Sequence, residues 1–371
     1  MPSRRLLSRL ALALCCSAML APAAADDLGI TSLQRHVGLR EYRFPTVMSF
    51  RPDVTARVNY QLFATVFSPL PYGLPPVNPG DSLKLPILDK DGQQPLVRLN
   101  YRLLRNDTRV FAVEFQGEYC TTRCDTVRRP AAFDLASGRL LTAQDLFTPD
   151  GHAALIASMS ARQRGTLERE IAIRRQPGAR RDADAQAALA IYQQCLKERY
   201  AGRDWPYAGD MAIEPEHITF SHGSCSTPAT RTLDELGPLR HRFTLNQLRP
   251  WLGSYGRAVL LGDPAAAATS PQGQLLAGTL GGARVQLHLV PASGHPLARD
   301  GEPVSAYYFH ERERRHIPLQ GQWRQGVLTL QEMQGQEPRP TLTLKQQGST
   351  LTGSWKSNAG TKALPVSLQI P

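Results

Sequence analysis

The last part of the chain, from residue 275 to residue 371, consists of short segments in which every second residue is apolar. Such alternation predicts strands with one face turned toward a core, and glycine-containing turns separate several of the segments. The predicted strands are residues 275–280, 283–290, 304–310, 315–323, 326–332, 340–346, 349–356 and 362–370. Eight successive strands with short connections favour an antiparallel meander that closes, wholly or nearly, into a small eight-stranded barrel. Pro318 and Pro365 fall inside two strands, so each should lie at an edge or a bulge.

Three aromatic residues on these strands, Tyr307, Trp323 and Trp355, are candidates for contacting a ligand at the mouth of the barrel. Aromatic rings can stack on sugars or hold a small apolar molecule. A barrel of eight strands is also narrow enough to be filled by its own side chains, and we favour this second interpretation.

The first 25 residues have the pattern of a secretory signal peptide. Arg4, Arg5 and Arg9 precede an apolar run over residues 10–20, and a group of three alanines ends at Ala25. The run is too short to span a bilayer, and no second apolar stretch in the sequence is long enough to do so. We therefore predict cleavage near Ala25 and export of the remaining chain to the periplasm or the extracellular medium.

Removal of the signal peptide lowers the formal charge from +11 to +8, because three of its residues are arginines. A basic exported protein can favour anionic partners in the envelope. An excess of solvated surface charge explains the same composition, and we favour that interpretation.

Four cysteines remain after cleavage, and an even number in an exported protein favours disulfides. We predict the pairs Cys120–Cys124 and Cys195–Cys225, because each pair lies within one local unit of structure. The second pair closes a loop of about 30 residues, which stabilises by about 3–4 kcal/mol in the chain-entropy model. A zinc site needs four ligands at a recognisable spacing, which the sequence lacks, so we predict no metal and no cofactor.

The region before the barrel contains both strand and helix patterns. Period-two segments dominate residues 96–135, whereas Val54, Val58 and Leu62 recur at the spacing of one helix face. Helices are also expected over residues 149–173 and 182–200, where capping and breaker residues bound helical patterns. An α+β domain is therefore predicted.

Residues 263–274 combine small, polar and breaker residues without periodicity, which is typical of a linker. The predicted organisation is a signal peptide (1–25), an α+β domain (26–262), this linker and an all-β domain (275–371).

One motif in the α+β domain links a strand end and turn to a short helix. Its residues are Phe133, Asp134, Leu135, Gly138, Asp145, Leu146 and Phe147. Together with the segments 211–220 and 243–252, it resembles the domain shared by the lysozyme-sensing anti-sigma-V factor and the non-catalytic part of peptidoglycan deacetylase C. The resemblance covers about residues 40–260. It implies an α+β fold with a helical pair packed on an antiparallel sheet, in a family without shared catalytic residues.

We find no sequence signature of an established catalytic site. The Gly-x-Ser-x-Gly elbow, the His-Glu-x-x-His zinc motif, the phosphate-binding loop and the nucleic-acid-binding motifs are absent. Asp134 and Asp145 could act as an acid–base pair, with Glu214 or Glu216 as further candidates. A strand end and a helix cap explain the first two residues structurally, and we favour that explanation.

Arg174, Arg175, Arg180 and Arg181 flank a Pro-Gly break between two predicted helices. They would form an anion-binding patch if their side chains converge. A solvated loop is the interpretation that we favour.

These features favour a non-enzymatic exported protein that binds or senses a cell-wall glycan or a protein partner. The alternative is a carboxylate-dependent hydrolase of an envelope polymer, whose acids meet only in the folded chain. Nucleic acid is not an expected partner, and the ligand and the oligomeric state are left open. Because lysozymes of the common animal type are basic like this chain, we do not expect tight binding between them.

Overall fold

The computed structural model describes residues 28–67, 96–120, 124–180, 182–200, 209–291, 301, 303–312, 316–334, 339–357 and 362–371. Over these ranges, an N-terminal α+β part precedes a closed barrel of eight antiparallel strands. The predicted fold class is therefore confirmed. The predicted signal peptide lies outside the described residues.

The N-terminal part is built on a six-stranded sheet whose strand order follows the chain. Its strands are β1 (Gly29–Val37), β2 (Arg40–Met48), β3 (Leu96–Asn106), β4 (Val110–Cys120), β5 (Cys124–Asp134) and β6 (Arg139–Leu140). β2 and β3 are parallel while the other neighbours are antiparallel, so the sheet is mixed rather than wholly antiparallel. A parallel pair requires a long crossover, and helix α1 (Pro52–Phe67) is part of this one.

Strand β4 is covered on both faces and lies at the centre of the N-terminal part. On one face, Phe111 and Phe115 belong to a core that includes Val58 of α1. On the other face, Val110 and Ala112 belong to a second core. The predicted apolar stripe of α1 is buried in the first core, because it packs against this sheet.

A smaller antiparallel sheet and several helices enclose the second core. The elements that follow β6 are α2 (Ala143–Leu146), α3 (Pro149–Arg175), α4 (Ala183–Tyr200), β7 (Asp210–Ile213), β8 (His217–His222), a 3-10 turn (Pro228–Leu233), β9 (Leu239–Thr244), α5 (Leu245–Leu248) and α6 (Ser254–Leu261). The first half of α3 contributes Leu155 and Met159 to this core, and α3 also packs against α4. A helical pair thus packs beside an antiparallel sheet.

The barrel is closed by pairing of its first strand with its last. Its strands are β10 (Leu275–Leu280), β11 (Ala283–Pro291), β12 (Pro303–His310), β13 (Ile317–Arg324), β14 (Val327–Glu332), β15 (Thr341–Gln347), β16 (Thr350–Lys356) and β17 (Ala363–Gln369). Alternate residues such as Leu276, Leu287, Leu330 and Leu344 are buried together in one apolar cluster. Side chains of the barrel therefore pack its interior.

The two strand prolines occupy a position that the sequence analysis did not anticipate. In the closed barrel, the pairing of β13 with β14 begins at Leu319, one residue after Pro318. Likewise, the pairing of β17 with β10 includes Val366 but not Pro365. Each proline lies at the end of the ladder on one side, where its carbonyl oxygen accepts a backbone bond, from Met333 N for Pro318 and from Gly281 N for Pro365. The ladder end accommodates the missing N–H within a closed barrel.

The four cysteines form the predicted pairs. Cys120–Cys124 joins the ends of β4 and β5, and Cys195–Cys225 joins α4 to the segment after β8. Among the described helices, none is long and apolar enough to cross a bilayer.

Arg139 connects the N-terminal part to the segment before the barrel and to the C-terminus. Its buried guanidinium donates to Asp145 Oδ1 at 2.5 Å, to Ser270 O at 2.5 Å and to Pro371 O at 3.2 Å. The predicted linker is thus held against β6 at two residues, because Ser270 accepts from Arg139 and the Gln274 amide bonds to Leu140 N and O. Independent folding of the two predicted domains stays a prediction.

Candidate binding site between the two parts

Helix α1 carries two buried amide side chains, of which one is hydrogen-bonded and the other is not. The Asn59 amide accepts from Val47 N at 2.9 Å and donates to Val47 O at 3.0 Å, which ties the helix to β2. Gln61 is 2% exposed, and neither Oε1 nor Nε2 has a hydrogen-bond partner within the described ranges. A buried polar group without a partner destabilises a fold by about 1–3 kcal/mol, so its presence calls for an explanation.

Gln61 lines a cavity of about 380 Å³ between the N-terminal part and the barrel. Thr65 of α1, Asp210 of β7 and His288 of β11 contribute further polar groups to its wall. Much of the remaining wall is apolar and includes Ala64, Pro130, Ala131, Leu141, Met211 and Val290. This mixture of apolar surface and a few polar groups is typical of a small-molecule site.

A second cavity, of about 450 Å³, adjoins the first, because Gln144 and Gln272 line both. Its wall includes His152 of α3 and Trp323 of β13. His152 is 4% exposed, and its Nε2 has no hydrogen-bond partner in the described part of the chain. We call the two cavities together the junction groove.

The junction groove carries little charge. Asp210 is the one carboxylate among its described lining residues, and no lysine or arginine is among them. Burial lowers the pKa of His152, and burial together with the nearby His316 lowers the pKa of His288 to about 4. Both imidazoles are therefore neutral at pH 7, and the groove suits a polar ligand without net charge.

Next to Gln61, Tyr60 packs α1 against the barrel. Its ring lies 5.4 Å from that of His288 and 6.0 Å from that of His316, between centroids. The Tyr60 hydroxyl lies 3.4 Å from His316 Nε2. Burial lowers the pKa of His316 to about 4 and raises the pKa of Tyr60, so the cluster holds neutral rings.

The acids proposed for the hydrolase alternative do not line the groove. The Asp134 carboxylate accepts from Ala136 N at 2.9 Å, Ser137 Oγ at 2.8 Å and Tyr255 OH at 3.0 Å. Asp145 caps the short helix α2 and pairs with Arg139, although burial still raises its pKa.

The two glutamates of that alternative lie elsewhere, on the hairpin of β7 and β8. The Glu214 carboxylate contacts His217 Nε2 at the hairpin. Glu216 is exposed. Neither glutamate belongs to the described lining of the groove.

The other residues of the sequence motif lie in the cores on either side of Arg139. Phe133 and Leu135 are buried in the core with α1, and Leu146 and Phe147 are buried in the second core. Gly138 has a φ of +72°, and a Cβ there would come within 3.1 Å of the Val54 carbonyl oxygen. The left-handed conformation and the close contact both favour glycine at this turn.

The predicted arginine patch is largely paired with acids. Arg174 Nε donates to Glu170 at 2.9 Å, and its Nη2 donates to Glu235 at 2.8 Å. Arg180 pairs with Asp182 at 2.6 Å, Arg175 is exposed, and Arg181 lies outside the described residues. An anion would have to compete with these carboxylates, so anion binding stays a prediction without direct support.

The three predicted ligand-facing aromatics do not converge. Trp323 lines the second cavity. Trp355 donates from Nε1 to Glu332 at 2.8 Å, at the end of β14. Trp323 pairs with Leu328, near the start of β14, so the two tryptophans lie toward different ends of the barrel. Tyr307 lies on the outer face of β12, since its neighbours Ala306 and Tyr308 belong to the interior cluster.

One group of potential metal ligands occurs among the described residues, namely Glu118 with Cys120 and Cys124. The disulfide between the two cysteines removes both thiolates, so these residues do not form a metal site as they stand.

Sequence reasoning missed Gln61, His152, His288 and the two shared glutamines. One available signal was Gln61 itself, a polar residue next to the apolar stripe of α1. His152 and Trp323 lie far apart in the chain, and no local pattern indicates that they line the same cavity.

No protein-family model matches this sequence, and no curated protein matches it. The chain has structural similarity to a DUF3298 family protein of Bacteroides fragilis, at 12% identity and a TM-score of 0.41, over 64% of this chain and 98% of the other. A DUF3298 family protein of Pseudomonas aeruginosa matches at 10% identity and a TM-score of 0.37, over 62% and 97%. At these values, the similarity carries no conclusion about family or ligand.

Proposed function

We propose that this protein is exported and binds a neutral glycan of the cell envelope in the junction groove. The observation that carries the proposal is Gln61, a residue of the cavity wall whose amide is buried and has no hydrogen-bond partner in the described structure. A ligand that supplies both a donor and an acceptor would satisfy this amide. Sugar hydroxyl and acetamido groups have both.

The charge of the groove supports a neutral ligand. Asp210 is the one charged side chain in the described lining, and the nearby Arg129, which donates to Thr65 O at 3.0 Å, offsets its charge. The groove therefore offers an anionic glycan no excess of positive charge. The basic surface of the chain therefore does not determine the ligand of this groove. The predicted signal peptide and the disulfides support an envelope location.

The hydrolase alternative requires a pair of carboxylates that flank the scissile bond. Asp210 is the one carboxylate in the described lining. Burial and the nearby Glu114 on β4 raise the pKa of Asp210, but Glu114 is outside the lining and pairs with Arg102 and Arg128. We therefore propose binding without catalysis, and mass spectrometry of the bound glycan after long incubation tests this point. Release of shortened products would favour the alternative.

Titration calorimetry of the mature protein with β-1,4-linked N-acetylglucosamine oligomers tests the proposed function. Gln61→Met keeps the length of the side chain but removes its amide, so affinity should fall about tenfold. Gln194→Met, at an exposed position on α4, is the matched control and should bind like the wild type. Equal affinity of the Gln61→Met variant and the wild type, or no binding by the wild type, would contradict the proposal.

A further inference from the structure

We propose that Trp323 and His152 form a second sugar subsite in the junction groove, so that the ligand is an extended oligosaccharide rather than a single sugar. This inference rests on the proposed function, because it specifies the ligand of the same groove. It is carried by the second cavity, in which an aromatic side chain and an unpaired buried imidazole nitrogen occur together.

Three separate parts of the chain build this second cavity. His152 and Thr148 come from the start of α3, Trp323 comes from the end of β13, and Ser270 belongs to the segment between the two parts. The Gln346 side chain is fixed there, because its Nε2 donates to Thr269 O at 2.8 Å and to Gly348 O at 2.9 Å. A wall of side chains held on a helix and on strands is preformed rather than assembled by the ligand.

Trp323 offers the apolar surface that a sugar ring requires. Its indole packs in part against the interior cluster of the barrel, is incompletely buried and lines the cavity. An aromatic ring held in this way can pack against the C–H face of a pyranose while the sugar hydroxyls bind polar groups nearby. No charged side chain lines this cavity within the described ranges, which again favours a neutral ligand.

His152 supplies a polar group that the fold leaves unsatisfied. Its Nε2 is buried and without a partner in the described structure, while the imidazole is neutral at pH 7 because burial lowers its pKa. A neutral imidazole nitrogen can donate to, or accept from, a hydroxyl group according to its tautomer. A sugar hydroxyl would pair with it, as we propose for Gln61 in the first cavity.

The two subsites are connected by Gln144 and Gln272, which line both cavities. At about 380 and 450 Å³, each cavity is within the size range of small-molecule sites. A linear glycan that occupies both would pass the two glutamines, whose amide groups can bind its hydroxyls. Affinity should therefore increase with the length of the glycan.

The test is calorimetry of the mature protein with N-acetylglucosamine oligomers from the monosaccharide to the hexasaccharide. For the wild type, we expect affinity to rise at least about tenfold along this series. Trp323→Leu should remove that rise and leave the affinity for the shortest bound oligomer unchanged. Trp355→Phe, at the other end of the barrel, is the control and should retain the rise.

Two results would overturn the inference while leaving the proposed function intact. One is an affinity that does not depend on length in the wild type, and the other is a Trp323→Leu variant with the wild-type length dependence. If Trp323→Leu unfolds, His152→Leu tests the same subsite and should also reduce the rise. Absence of binding at every length in the wild type contradicts the proposed function itself, and the inference fails with it.

Discussion

The barrel interior and the junction groove differ in whether their buried polar groups have hydrogen-bond partners. In the barrel, the buried Glu332 accepts from Tyr308 OH at 2.7 Å and from Trp355 Nε1 at 2.8 Å. In the groove, Gln61 and His152 carry buried polar atoms for which the described structure provides no partner.

This difference distinguishes polar groups that stabilise the fold from polar groups that can bind a ligand. A polar group with its partners in place contributes to the fold, whereas an unpaired one destabilises it unless something else binds there. Departures from satisfied packing are expected at functional sites. The groove is therefore a region in which unpaired polar groups lower stability, whereas the paired polar groups of the barrel interior add to it.

The largest effect is expected at Arg139, a buried side chain beside the groove whose Nη1 and Nη2 both donate hydrogen bonds. Arg139→Met removes its bonds to Asp145, Ser270 and Pro371 and leaves the Asp145 carboxylate buried without its cation. Loss of one partner of a buried pair destabilises by about 3–5 kcal/mol. Arg324→Met, at an exposed position of β13, is the control and should change stability by less than about 0.5 kcal/mol.

Urea denaturation of both variants measures this difference. A loss of stability below about 1 kcal/mol in Arg139→Met would mean that the Arg139–Asp145 pair stabilises the fold no more than an apolar side chain does, as is found for some buried pairs. The junction would then be held mainly by its apolar contacts.

The next effect concerns the interior of the barrel. Leu330 is fully buried in the interior cluster, so Leu330→Ala leaves a cavity and should destabilise by about 3 kcal/mol. Leu103→Ala, at a position that is 46% exposed, provides the same chemical change outside a core and should cost less than about 1 kcal/mol. Thermal unfolding monitored by circular dichroism gives both values. Equal losses would mean that the interior is loosely packed.

Acid should weaken the contact between α1 and the barrel. His288 and His316 have folded pKa values lowered to about 4, below the ordinary value of 6.5. Between pH 4 and pH 6.5 the unfolded chain binds more protons than the folded chain. The contribution of these histidines to stability is therefore fully present above pH 6.5 and decreases as the pH falls toward 4. From pH 7 to pH 5.5, each histidine should remove about 1 kcal/mol.

The variant His288→Phe separates this contribution from the rest of the acid response. It should lose less stability between pH 7 and pH 5.5 than the wild type, by about 1 kcal/mol, in urea titrations at each pH. Gln320→Phe, which introduces the same ring at an exposed position of β13 without removing a titratable group, is the control and should follow the wild-type curve. Parallel curves for all three proteins would show that His288 is not kept neutral by burial.

The barrel was predictable from the sequence because its strands pair with neighbours that are adjacent in the chain. Alternation along each strand and turn residues between strands specify neighbours that are adjacent in the chain, and all eight predicted strands are present. The disulfides were predictable for the same reason. The parallel pairing of β2 with β3 was not, since it joins segments separated by α1 and a long connection.

The candidate site was not predictable, although one of its residues was singled out. Trp323 was a candidate because it is an aromatic residue on a strand. Its two companions lie elsewhere: Tyr307 is on the outer face of the barrel, and Trp355 packs against the interior cluster near Glu332. The unpaired state of Gln61 arises only when the barrel packs beside α1. No sequence pattern records the absence of a partner.

The smallest expected effect is on the free energy of unfolding, which substitutions at two positions of α1 should change in opposite directions. Gln61→Met replaces an unpaired buried amide with an apolar side chain of similar length, so the variant should be more stable than the wild type by about 1 kcal/mol. Asn59→Leu makes a similar change on the same helix, but it breaks both bonds to the Val47 backbone and should destabilise by about 2 kcal/mol. Urea denaturation at pH 7 without ligand measures both. A loss of stability in Gln61→Met would mean that the wild-type amide is satisfied in solution, and the contrast between groove and barrel would then disappear at the residue on which it chiefly depends.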